Sequence, residues 1–149
     1  MSVEISADEV ALPALLRAAW ATYRSAVQKA LAGGGFDDVP RNGSYVLSAI
    51  AHGGAPLSNV IARLGVSKQA AGQLVDTLVV RGYLERAVDP TDRRRLVVSL
   101  TERGSAAAAV VRRAADAVDA ALEAQVGAAQ MRHARRTLAV LASLGDDHA

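Results

Sequence analysis

The chain contains no cysteine. That excludes a disulfide framework, a thiolate nucleophile and a thiol-based redox sensor outright. Aromatic residues are scarce, at 3%, although the hydrophobic fraction is 51%. Alanine supplies much of that fraction, which points to helices packed closely through small side chains. Arg, Gln or Gly interrupts every apolar run well before the roughly 18 residues that a membrane-spanning helix requires. The opening MSVEISADEV is acidic and lacks the basic start and apolar stretch of a secretory signal. A cytoplasmic location and no membrane partner are therefore expected.

Catalytic patterns are missing too. His52, His133 and His148 are scattered, and no HExxH, GxSxG or GxxxxGK[ST] occurs. No enzyme, catalytic residue, metal site or cofactor is expected. Net charge is only +2, which taken whole argues weakly for a nucleic-acid partner. Its distribution says more: residues 58–104 hold eight Lys or Arg against five Asp or Glu, while the remainder holds nine against ten. The positive excess sits in the middle of the chain, mostly on one tip.

At 149 residues, one domain with a real core is expected. A first helix is predicted over 7–32, with Ser6 and Glu9 as a capping box and Leu12, Leu15, Leu16, Ala19, Trp20, Tyr23, Val27 and Leu31 at helical spacing. Pro13 is too deep for the first turn of such a helix, so it either kinks there or begins later. Shorter helices are predicted over 43–52, 57–64 and 67–81, the last two joined only by Gly65 and Val66. That spacing is the layout of a helix-turn-helix. Two strands, 83–88 and 94–100, flank a turn that Asp89 and Pro90 begin. Thr101 then caps a long alanine-rich helix with Val110, Ala114, Ala117, Val118, Ala121 and Leu122 on one stripe. It breaks near Gly127, and a last helix carries Met131, Ala134, Leu138 and Leu141. The apolar stripes of the terminal helices exceed what one small central module can cover, so a symmetric homodimer is the simplest arrangement.

On the 67–81 helix, Ala71, Leu74, Val75 and Leu78 form the face expected to be buried, opposite Gln69, Gly72, Gln73, Asp76 and Val80. Gln69 and Gln73 are four apart and project from adjacent turns near the N-terminal end, where the helix dipole favours a phosphate. A glutamine amide supplies the donor and acceptor that adenine N6 and N7 require in the major groove. Gly72 between them leaves room for close approach. The following segment, DPTDRRRLVVSLTERG, raises Arg93, Arg94 and Arg95 on a hairpin tip, where like charges are hardest to neutralise from within the fold. Planar, permanently charged guanidinium groups suit a narrow, electronegative minor groove. Asp92 is placed to pair with one arginine and hold the tip in shape.

The stretch LSNVIARLGVSKQAAGQLVDTLVVRGYLERAVDPTDRRRLVVSLTERG resembles the core of the multiple antibiotic resistance regulator (MarR) family in its "LGVS" turn, "RGYLER", "DPTDRRR" and "LTERG". The resemblance covers about a third of the chain contiguously, and the helical flanks extend it. It implies a mainly α fold with a small β wing (α+β): a winged helix-turn-helix lobe at 43–100 between dimerisation helices at 7–32 and 101–145, in one domain over 1–149. It implies a homodimeric repressor that binds double-stranded DNA at a pseudo-palindromic operator and is often released when a small-molecule inducer binds. Carried onto this chain, recognition-helix contacts fall on Ser67, Gln69, Ala70 and Gln73, with Lys68 and the wing bearing phosphate affinity. The Asp-x-Arg wing signature falls on Asp92 and Arg94, flanked by Arg93 and Arg95. Two departures stand out. Gly72, Gln73 and Thr77 occupy a helix where members often carry more cations, and Arg41, Asn42 and Gly43 replace the usual Thr and Gln before the second helix. Those few cations keep a second reading open, a winged-helix module that binds protein rather than DNA. Trp20, Tyr23, Tyr45 and His52 are candidates to line a cavity, but no ligand-binding residue is assigned.

Overall fold

A computed structural model describes residues 6–52, 57–94 and 96–146. A 3-10 turn at Ala7–Glu9 precedes α1 (Leu12–Gly33), α2 (Gly43–Ala51), α3 (Leu57–Arg63) and α4 (Lys68–Val80). The strands β1 (Leu84–Val88) and β2 (Leu96–Leu100) follow, then α5 (Glu102–Val126) and α6 (Ala128–Asp146). The chain forms two compact units, Met1–Ala114 and Ala115–Ala149, with the boundary inside α5.

The first helix starts later than its apolar periodicity predicts. Ser6 makes no side-chain cap, and α1 begins at Leu12 with Pro13 in its first turn. The reason is steric: proline fits a first turn, whereas a helix begun at residue 7 would set its ring against the preceding turn. At the other end of the helix-turn-helix, α4 stops where Gly82 adopts a φ of 79°. The Tyr83 N–H then reaches back to the Leu78 carbonyl at 2.9 Å and the Gly82 N–H to Val79 at 3.0 Å. This is a Schellman stop, and it needs a residue without Cβ at the left-handed position. Its consequence is tertiary, because it turns Tyr83 and Leu84 into the core, where they are 0% and 2% exposed.

The core of the first unit gathers one stripe from each element: Val27 and Leu31 of α1, Val46 and Leu47 of α2, Val60 of α3, Val75 and Leu78 of α4, and Ala107, Ala108 and Val111 of α5. Thr101 joins the wing to α5. Its backbone N–H donates to the Tyr83 carbonyl at 3.1 Å, and its Oγ1 accepts the Gly104 N–H at 3.0 Å while donating to the Gly82 carbonyl. In the second unit Arg135 pairs with Asp119 at 2.6 Å, and Met131 is buried. Leu122, Val126, Leu138, Val140, Leu141 and Leu144 remain exposed there, as do Leu12 and Trp20 on α1.

A polar clasp closes the first unit over Tyr83. The Tyr83 hydroxyl donates to Asp38 Oδ1, Arg103 donates to the same oxygen and to the Tyr83 hydroxyl at 3.0 Å each, and Arg81 donates to the Asp38 carbonyl. The Arg103 guanidinium also lies 4.6 Å from the Tyr83 ring centroid and 5.7 Å from that of Phe36, within cation–π range. The Tyr83 hydrogen bond, with the Arg103 charge beside it, holds the Asp38 carboxyl below the usual carboxylate range. Burial, reinforced by Asp38, pushes the Tyr83 phenol up. A depressed carboxyl contributes stability that is present above its unfolded pKa and lost as pH falls through the folded value. A raised phenol contributes stability that is present below its unfolded pKa and lost as pH rises through the folded value. The melting temperature is therefore expected to decline below pH about 4 and above pH about 10, with Asp38→Asn showing a shallower acid-side decline. Thermal melts in steps of pH test this, and an acid limb identical in Asp38→Asn would remove Asp38 from the account.

Candidate nucleic-acid interface

The α3–α4 turn delivers the N-terminal end of α4 to the surface. Ser67 stands just before the helix in an extended conformation, and its Oγ accepts the Ala70 N–H at 3.1 Å. Its hydroxyl proton remains available to a phosphate oxygen. Ser67 thus sets where the helix begins, a role beyond the contact its sequence position suggested. Lys68, Gln69, Ala70 and Gln73 are all exposed, together with Gly72, Asp76 and Val80. Ala71, Val75 and Leu78 are buried and Leu74 is packed against the core, so the helix presents the two faces its periodicity describes.

A Cβ built on Gly72 meets nothing within 4 Å. The fold itself therefore gives no steric reason for glycine in the middle of this helix, where it is about 1 kcal/mol less favourable than alanine. Gly72→Ala is expected to raise the melting temperature by about 2–4 °C while weakening operator binding several-fold. A thermal melt and a DNA titration check the two signs together, and unchanged or tighter binding would show that the face does not approach DNA closely.

β1 and β2 pair antiparallel in register from Leu84 opposite Leu100 to Val88 opposite Leu96. Beyond them, two carboxylates shape the tip. Asp89 Oδ1 accepts the Thr91 N–H at 2.8 Å and the Thr91 hydroxyl at 2.7 Å, and Asp92 Oδ1 accepts the Arg94 N–H at 3.0 Å. Asp92 was expected to pair with an arginine side chain. It binds Arg94 through the backbone instead, as a local Asx turn, since a carboxylate two residues ahead of an N–H closes that ring without ordering a long side chain. Arg93 and Arg94 are exposed. Arg95 lies outside the described residues, as does the 53–56 segment before α3.

Two further features were invisible in the sequence. Asp76 on the outward face of α4 forms an ion pair with Arg86 of β1, with their side chains 62% and 40% exposed. His52 donates through Nδ1 to the Ser48 carbonyl at 2.6 Å, which leaves Nε2 to accept from Arg112 at 3.4 Å. These residues border an open cleft of about 310 Å³, together with Ala51, Leu100, Ser105, Ala108 and Ala109. Trp20, Tyr23 and Tyr45 do not line it. Among the described residues no group of three or more acidic, His or Cys side chains is placed to hold a metal ion, and no helix is long and apolar enough to cross a membrane.

A capped helix presented after a tight turn, followed by an antiparallel hairpin with exposed arginines at its tip, defines a winged helix-turn-helix DNA-binding protein. The comparisons agree. Residues 37–95 match the MarR family model, the family of transcriptional regulators whose turn, recognition-helix and wing motifs this segment resembles. A search of curated proteins finds no match. Among solved structures, the chain is similar to CouR from Rhodococcus jostii RHA1 bound to p-coumaroyl-CoA, with 26% identity over 94% of this chain and 96% of that one and a TM-score of 0.70. It shares its fold with Streptococcus pneumoniae FabT in complex with DNA, at 20% identity, 93% and 97% coverage and a TM-score of 0.74. It also shares it with the S. aureus MepR–DNA complex, at 17% identity, 91% and 98% coverage and a TM-score of 0.71.

Proposed function

We propose that this DNA-binding regulator acts as a homodimeric repressor on a pseudo-palindromic operator, with α4 in the major groove and the wing in the minor groove of each half-site. The observation that carries the reading is the pairing of two exposed elements of matching chemistry. Gln69 and Gln73 project from the capped end of α4, and Arg93 and Arg94 stand on a tip whose shape Asp92 maintains. Lys68 serves the phosphate backbone, Ser67 adds a hydroxyl donor, and Ala70 presents a methyl surface to thymine C5-methyl groups.

Dimerisation is supported by the apolar side chains that stay exposed on the terminal helices: Trp20 at 57%, Leu144 at 57% and Val140 at 62%. Apolar stripes of this kind mark a protein interface. Release by a small molecule is supported by the cleft beside α5 and by the CouR relative's bound p-coumaroyl-CoA.

The experiment is fluorescence-anisotropy titration of the protein with DNA from upstream of its own gene, against scrambled DNA, across a salt series. Tight, selective binding that weakens steeply with salt is expected, because each neutralised phosphate adds about −0.9 to the log–log slope. Equal or absent binding to both DNAs would favour a winged helix that binds protein, the reading that the single cation on α4 leaves standing.

A further inference from the structure

The pair formed by Asp76 and Arg86 lies between the two elements assigned to DNA, the recognition helix and the wing. Both side chains are substantially solvated, and exposed pairs of this kind contribute little to stability. Its position says more. Asp76 continues the outward stripe of Gln69 and Gln73 along α4, and a carboxylate there repels a phosphate backbone. Within α4 itself, KQAAGQLVDTLVV, the only cation is Lys68. The fold therefore brings to this face, from ten residues away, the cation that the helix lacks.

Asp76 Oδ1 accepts from one terminal nitrogen of the guanidinium. A guanidinium carries five N–H donors in a rigid planar fork, and the others have no hydrogen-bond partner among the described residues. That is the arrangement of an arginine oriented by a carboxylate on one edge and open to a phosphate oxygen on the other.

We propose that Arg86 is a further phosphate-backbone contact, and that Asp76 is the positioning residue which aims its guanidinium and offsets its charge. The proposal rests on the DNA-binding reading above. Its two halves have different signatures: Arg86 adds affinity without sequence information, whereas Asp76 limits how far that affinity extends to random DNA.

The test titrates wild type, Arg86→Ala and Asp76→Ala with operator and scrambled duplexes across a salt series, with circular dichroism and thermal melts verifying the fold. Arg86→Ala is expected to weaken binding to both DNAs by a similar factor, about tenfold, and to reduce the salt slope by about 1.8 for a dimer that loses two phosphate contacts. Asp76→Ala is expected to tighten binding to scrambled DNA and so narrow the discrimination between the two. Unchanged affinity and slope in a folded Arg86→Ala protein would overturn the contact. Loss confined to the operator with an unchanged slope would overturn it as well, leaving the pair as a spacer between helix and wing. Weaker scrambled-DNA binding in Asp76→Ala would overturn the charge-offsetting role. If wild type itself binds neither DNA, the DNA-binding reading fails first, and the proposal falls with it.

Discussion

Gly104→Ala is expected to destabilise the protein by about 3 kcal/mol or more, at the upper end of what overpacking a filled site costs, and to lower the melting temperature by about 6–12 °C. A Cβ at Gly104 would stand 1.9 Å from the Tyr83 carbonyl oxygen, 2.9 Å from its carbon and 3.2 Å from Leu100 Cδ2. The obstacle is backbone rather than the end of a flexible side chain. That carbonyl has little freedom to retreat, because it accepts the Thr101 N–H at 3.1 Å and its residue is fully buried beneath the Asp38 and Arg103 clasp. Relief would require α5 to move away from the base of the wing, opening the packing of Ala107, Ala108 and Val111. Gly72→Ala supplies the internal control, since the same methyl group added in open space is expected to stabilise. Paired thermal melts read both signs, and a loss under about 1 kcal/mol for Gly104→Ala would mean that α5 does not press on Tyr83 in this way.

The second large effect falls on binding rather than folding. Arg94→Ala is expected to weaken operator binding by about 1 to 3 kcal/mol, which is roughly 5- to 150-fold, while leaving melting temperature and helicity unchanged. The separation follows from what holds the tip. Asp92 grips the Arg94 backbone N–H, which alanine retains, so the turn keeps its shape while the guanidinium is removed. Titration against operator DNA reads the loss, and a salt slope lower by about 0.9 for each contact removed would accompany it if the guanidinium neutralises a phosphate charge. Unchanged affinity in the folded variant would withdraw Arg94 from the minor groove.

Much of the fold was legible because its signals are local. The α4 wheel needs only the spacing of Ala71, Leu74, Val75 and Leu78, and the RGY stop needs only a glycine that tolerates positive φ, so both can be read from a few adjacent residues. The strand expected over 94–100 was legible for the same reason. The start of α1 shows the limit of such reading: Ser6 and Glu9 form a plausible capping box, but Pro13 sets a stronger constraint, and the helix begins at Leu12. At the wing, spacing put Asp92 beside three arginines and suggested an ion pair. The shorter reach to a backbone N–H prevailed.

By itself, the sequence determined the order of the elements, the buried face of α4, the exposed glutamines and the basic tip, along with the exclusion of thiol chemistry. Tertiary structure decided which distant residues meet. Asp38 reaches Tyr83 and Arg103 across 45 and 65 positions, Gly104 must lack a side chain because the Tyr83 carbonyl occupies its space, and Arg86 is brought to Asp76. None of these pairings follows from periodicity or propensity. They depend on how far α5 and β1 travel before they pack, and that is set by the whole core closing around Tyr83.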